Sequence, residues 1–273
     1  AMEVVQRARA EGIIVFTHCS SAAYVAEEVL GESLGDLSHY CCGYIHSTGG
    51  CFVRPEDQVP ELILVRGEKR WYRFGTPRAL EFLASMGRGD VVVKSGNVMD
   101  PEGRVGVLTG EPDGGEAGRY LPWILARGVT LIVPTTLNKS IPFPLDRVAR
   151  SVGLSLVEPR RSYGMVVGMV PLPGVVVTEV DAIRALSGAE ALPVAMGGIG
   201  SGTGSVTLSL TGAREQVDRA WELVKSVKGE PPLANLHQAC RQCLVRREPG
   251  LGVRCSGRRR FRRRGIGKGR ADA

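Results

Sequence analysis

The sequence predicts an α/β fold: a largely parallel sheet with helices on both faces, followed by a smaller ferredoxin-like α+β domain. Three observations carry that expectation. Short β-branched runs such as Val91–Val93 and residues 129 to 133 have the composition of buried strands. They alternate with segments of helical spacing, which is the pattern of a parallel sheet covered by crossover helices. From about Tyr163 the order becomes strand, helix, strand, strand, helix, that of a split βαβ unit.

Taken in order, AMEVVQRARAEG is a short amphipathic helix, without the basic start and apolar centre of a signal peptide. GIIVFTH is a strand and SSAAYVAEEVLGE a helix with Ala22, Val25, Ala26 and Val29 at helical spacing. The glycine-punctuated run from Asp36 leads to ELILVRG and KRWYRF, two short strands about a turn at Gly67, a hairpin or small antiparallel insert. TPRALEFLASMG has a Thr76 cap and Pro77 at the first helical position. The strands DVVVKSG and VGVLTG, a helix from Glu116 to Ala126 stopped by Gly128, the strand VTLIVPTT and a helix from Pro144 to Val152 complete residues 1 to 162. Residues 163 to 235 form the expected ferredoxin-like domain. Residues 236 to 273 form a CxxC-containing basic tail whose composition cannot bury a core.

A chain of 273 residues is long enough for two domains with cores of their own. Hydrophobic content of 43% fits a water-soluble globular protein, and no apolar run is long enough for a membrane span. Seven cysteines, an odd number scattered along the chain, argue against a secreted disulfide framework and for a cytoplasmic protein. The net charge of +7 is concentrated at one end. Residues 240 to 273 hold twelve Arg or Lys against Glu248 and Asp272, which leaves about −3 for residues 1 to 239. General affinity for nucleic acid is therefore expected only through the tail.

The chemistry-bearing residues follow the strands, where open α/β sheets bind ligands. The loop holding Thr17, His18, Cys19, Ser20 and Ser21 places hydroxyls at a helix start, suited to a phosphate or carboxylate; simple helix capping by Ser20 or Ser21 is the bland alternative. His18 reads as a packed or loop histidine. Lys94, Ser95, Gly96 and Asn97 follow a buried strand, with Lys94 the candidate cation and Asp100 the candidate base beside it; a sheet-edge charge and a plain turn are the alternatives. Glu111, Asp113 and Glu116 make the second glycine loop unfit for phosphate and suited to sugar hydroxyls or a hard cation; a solvated turn with favourable acidic charge at a helix start is the alternative. Thr135 and Lys139 close the set. No dinucleotide or P-loop spacing is present, and GGIGSGTGS lies between two strands as a hairpin loop. In the tail, His237, Cys240, Cys243 and Cys255 are candidate metal ligands, but the surrounding composition favours a reducible thiol pair over a zinc site.

The segment IIVFTHCSSAAYVAEEVL resembles the THxxS stretch of translation initiation factor 2B subunits and their methylthioribose phosphate isomerase relatives. With VVVKSGN and LIVPTT as later strands, residues 10 to 155 resemble the superfamily of ribose phosphate isomerase, glucosamine phosphate deaminase and coenzyme A transferases. That resemblance implies a phosphorylated sugar or coenzyme A at the carboxyl ends of the sheet, near Thr17, Ser20, Ser21, Lys94 and Gly96. The chain departs from it in having no counterpart of the isomerases' acidic motif and no clear glutamate nucleophile.

The leading expectation is thus a small anionic metabolite, a phosphorylated sugar or nucleotide-like molecule, bound for isomerisation or group transfer, with the cofactor unknown. A homo-oligomer with no membrane partner is expected. The rivals are a non-catalytic metabolite sensor or assembly protein, and a nucleic-acid-associated protein acting through its tail.

Overall fold

The computed structural model describes residues 2 to 46, 49 to 53, 55 to 73, 76 to 158 and 161 to 234. The four tail residues proposed for a metal, and the basic tail itself, lie outside the described residues. No helix among the described residues is long and apolar enough to cross a membrane.

The fold is mixed α/β around a mostly parallel six-stranded sheet. Helix α1 (Glu3–Glu11) leads into β1 (Ile13–Phe16), and α2 (Ser20–Leu30) follows a three-residue loop. A small hairpin of β2 (Gly43–His46) and β3 (Gly49–Phe52) stands apart from the main sheet. Strands β4 (Glu61–Val65) and β5 (Glu68–Tyr72) form a second hairpin. Arg66 and Gly67 have φ of 50° and 80°, the two left-handed positions of a tight hairpin turn. After α3 (Pro77–Ser85) come β6 (Val91–Val93), the short β7 (Val98–Met99), β8 (Val105–Thr109), α4 (Gly115–Arg127) and β9 (Thr130–Pro134). The last stretch holds α5 (Leu145–Ser151), β10 (Gly168–Leu172), β11 (Val175–Val177), α6 (Glu179–Ser187), β12 (Glu190–Gly197), β13 (Ser205–Thr211) and α7 (Arg214–Val227).

The main sheet runs β11-β9-β6-β1-β4-β5, with the first four strands parallel and the β4–β5 hairpin antiparallel on one edge. Alternate side chains divide between its faces. Ile14, Phe16, Leu62, Leu64, Val91 and Val93 pack with Ala8 of α1 and Ala22 and Ala26 of α2. Val15, Ile63, Val92, Leu131 and Val133 pack with Leu83 of α3 and Ala117, Tyr120 and Ile124 of α4. Helices cover both faces for that reason.

The pairing after Tyr163 differs from a self-contained ferredoxin-like sheet. Strand β10 pairs antiparallel with β8, and β11 joins the main sheet parallel to β9, while β12 and β13 pair only with each other among the described residues. Pro173-Gly174 allows the chain to cross from one sheet to the other. Gly174 lies so close to β9 that an added Cβ would sit 2.5 Å from the Leu131 carbonyl oxygen. An all-valine strand arriving there extends the parallel sheet rather than starting a new one.

Candidate functional site

A cavity of about 810 Å³ opens at the carboxyl edge of the parallel strands. The loop after β1 contributes His18, Cys19 and Ser20, and the loop after β6 contributes Lys94, Ser95, Gly96 and Asn97. Glu116, in the first turn of α4, and Lys139, beyond β9, line it from the same edge. Cys41, Cys42, Gly43 and Phe52, at and beside the small hairpin, close it together with Met165. The hairpin is held by a backbone contact. Met165 N–H donates to Gly50 O at 2.9 Å, and Gly49 and Gly164 come so close that a Cβ on either would lie 2.0 to 2.2 Å from a facing carbonyl oxygen.

Beneath the cavity lies a chain of buried polar groups. Lys94 Nζ donates to Glu116 Oε2, and the backbone N–H of His18 donates to Glu116 Oε1 at 3.0 Å. His18 Nε2 is 2.7 Å from the Val59 carbonyl oxygen, which can only accept, so Nε2 carries a proton. Nδ1 then faces Glu116 Oε1 at 3.4 Å and Glu61 Oε1 at 3.9 Å. Tyr120 OH donates to Glu61 Oε2 at 2.5 Å. His18 Nδ1 and Glu61 Oε1 are buried without a hydrogen-bond partner.

The two carboxyls are driven apart by their surroundings. Burial, reinforced by the neighbouring charge of Glu116, holds Glu61 well above the usual carboxylate range. Burial acts on Glu116 in the same direction, but the Lys94 ammonium overrides it and keeps Glu116 ionised well below that range. Lys94 is likewise held above its ordinary value, Glu116 outweighing the desolvation that opposes it. Desolvation also pushes the Cys42 thiol well up.

Of the residues expected at the site, Ser20, Lys94, Ser95, Gly96, Asn97, Glu111 and Lys139 line the cavity. Lys94 spends its charge on Glu116 inside the protein. Asn97 is partly committed to the fold, its Oδ1 accepting from Leu108 N–H at 2.9 Å. Gly96 sits where a Cβ would meet the Gly106 carbonyl at 2.5 Å. Thr17 is buried and donates to Val93 O at 2.9 Å, tying β1 to β6. Ser21 and Thr135 do not line the cavity, although the Thr135 hydroxyl is buried and unpartnered. Glu111 and Asp113 both pair with Arg119, at 2.7 and 2.5 Å. Asp100, the candidate base, is buried away from the cavity. It accepts from the backbone N–H groups of Glu102, Arg104 and Leu145 and from Arg104 Nε, so it braces the β7–β8 turn against α5.

His18 is packed as expected, yet inside the charged cluster. Cys42, Glu61 and Tyr120 were not anticipated. Glu61 starts an antiparallel strand, and only that direction brings the start of β4 to the edge where β1 and β6 end. Cys42 arrives through the glycine contact between distant segments, which leaves no local signal.

No protein-family model, curated protein or solved structure matches the chain.

Proposed function

We propose that the cavity binds a small anionic metabolite, a phosphorylated sugar or nucleotide-like molecule, with its anionic group on Lys139. The observation that carries this reading is the state of that lysine. Its Nζ donates to Ser95 Oγ at 3.3 Å and to Gly96 O at 2.8 Å, and among the described residues no carboxylate lies within ion-pair distance of it. Burial depresses its pKa, so an arriving anion would relieve an existing penalty. The Ser20 hydroxyl and the Ser95 side chain border the same space. About 810 Å³ matches the size of metabolite pockets. The superfamily resemblance of residues 10 to 155 supports a phosphorylated sugar as the ligand class, with isomerisation or group transfer the reaction proposed for it.

A thermal-shift panel of sugar phosphates, nucleoside monophosphates and coenzyme A tests the reading. A true ligand at about a hundred times its Kd stabilises by about 2.7 kcal/mol. Lys139→Met should then weaken binding by about 1.5 to 3 kcal/mol. A panel without a stabilising member, or a Lys139→Met protein with unchanged affinity, rejects it.

A second reading, assembly through a second copy of the chain, has one observation in its favour. Leu192, Val194 and Met196 of β12 are 66%, 57% and 49% exposed, with a register shift between Pro193 and Ala195 that turns Leu192 and Met196 to opposite faces, so the strand presents apolar side chains on both. Light scattering of the protein and of its L192K/M196K variant decides it: a dimer that the variant dissolves supports assembly, and a monomer in both removes it.

A further inference from the structure

We propose that His18 Nδ1, Cys42 Sγ and Glu116 Oε1 form a site for one zinc-class divalent ion, with the remaining coordination position open to the cavity. These residues each offer one ligand atom, and the three atoms lie within 4.8 Å of one another. The set is independent of the tail thiols and of the anion reading at Lys139.

The imidazole is the strongest observation. Its side chain is only 3% exposed, its Nε2 proton is committed to the Val59 carbonyl at 2.7 Å, and Nδ1 is left unpartnered toward the other ligands. A ring whose outer N–H is fixed by a carbonyl while the other nitrogen faces inward has the tautomer and orientation of a metal-bound histidine. Glu61 Oε1, also buried and unpartnered, faces the same nitrogen from 3.9 Å.

Distances agree. Two donors about 2.05 Å from one tetrahedral ion lie about 3.4 Å apart, and His18 Nδ1 and Glu116 Oε1 are 3.4 Å apart. That separation is long for a hydrogen bond and right for two ligands of one ion. Bringing Cys42 Sγ to about 2.3 Å from the ion needs a contraction on the order of 1 Å. Lys94 holds Glu116 Oε2, and Oε1, which accepts the His18 N–H with one lone pair, has the other to bind an ion singly. The Glu116 carboxylate and the Cys42 thiolate, whose proton leaves to solvent on coordination, stand against the dication and the Lys94 ammonium, so the loaded cluster carries one net positive charge facing the cavity. The mixed nitrogen, sulfur and oxygen set selects zinc or cobalt over magnesium or calcium. Three protein ligands beside a cavity are the arrangement that leaves an ion free to polarise a bound oxygen.

The test uses the full chain carrying C240S, C243S and C255S, titrated with Co²⁺ alone. One cobalt per chain is expected, with a thiolate-to-cobalt charge-transfer band that Zn²⁺ displaces. Adding C42S should abolish the band and weaken cobalt binding at least about a hundredfold, whereas adding C41S should leave both unchanged. X-ray absorption on the zinc-loaded protein needs no further substitution and should show one sulfur at about 2.3 Å with nitrogen or oxygen at about 2.0 to 2.2 Å. Substoichiometric cobalt, a band that survives C42S, or a zinc shell with no sulfur or with more than one overturns the proposal.

Discussion

Lys94 and Glu116 are the residues on which the buried cluster depends, because each is inside the protein only in the company of the other. Replacing Lys94 with Met leaves a buried ionised carboxylate without its cation, and the expected loss is about 3 to 5 kcal/mol in urea unfolding. The K94M/E116Q double variant removes both charges and should recover a large part of that loss. A single variant costing under about 1 kcal/mol would show that the two do not act as a unit. Asp100 makes a separate prediction with a pH signature. Its carboxyl is held below the ordinary value: burial opposes this, but the Leu145 and Arg104 N–H groups and the Arg104 side chain override it. Because the folded pKa is the lower one, its stabilisation is complete above the unfolded value of about 3.9 and is lost as pH falls through the folded value. Asp100→Asn should therefore cost about 2 to 3 kcal/mol at neutral pH. The gap between the two proteins should begin to close as pH falls below about 4 and disappear only below the folded value, and a gap that stays constant with pH would assign the loss to packing instead. Arg104 is 40% exposed, so the backbone donors carry most of this effect.

At the scale of elements, the small β2–β3 hairpin matters more than its four-residue strands suggest, since it supplies the cavity wall and Cys42. Its attachment is the Gly49–Gly164 approach, where Gly164 has φ of 91° and no room for a side chain. Gly164→Ala should destabilise the protein by more than about 1 kcal/mol, and hydrogen exchange should rise at Gly50 and Met165 before it rises in the main sheet. Unchanged exchange at Met165 would mean that the hairpin is held elsewhere. The same element shows where sequence reasoning stopped. The strand end at Lys94 and the loop beyond β9 that holds Lys139 were legible, because a β-branched run followed by polar residues marks the carboxyl edge of a parallel sheet by itself. The position of Glu61 was not, because whether ELILV runs with or against its neighbours depends on a partner far along the chain. Nor was the hairpin's docking, which a pair of glycines accomplishes with no side chain to announce it.

For the whole molecule, the main sheet was legible in its core strands, whereas the sheet that the strands after Tyr163 join was not. Val175–Val177 has the composition of a parallel strand, yet it fell among residues assigned to a separate ferredoxin-like unit, and local patterning does not say which sheet a strand will join. In the structure β10 and β11 lie after residue 162 and pair with strands before it. A fragment of residues 1 to 162 should consequently expose the β9 edge and the β8 face, bind a hydrophobic dye and lose its cooperative thermal transition. A fragment of residues 1 to 178 should retain both pairings. A sharply melting 1 to 162 fragment would restore the boundary at 162.

The buried cluster also bears on how the chain reaches this state. His18 N–H meets Glu116 across 98 residues, Tyr120 meets Glu61 across 59, and Lys94 meets Glu116 across 22. Contacts of such long range form late, since loop closure must precede them. A half-docked chain with β6 in place and α4 still loose would hold the Lys94 ammonium dehydrated and unanswered, a state far less favourable than either end point. The cluster therefore raises the energy of partly assembled forms and sharpens the step between the unfolded chain and the finished sheet. Groups that add little to the depth of the native well act here as its wall.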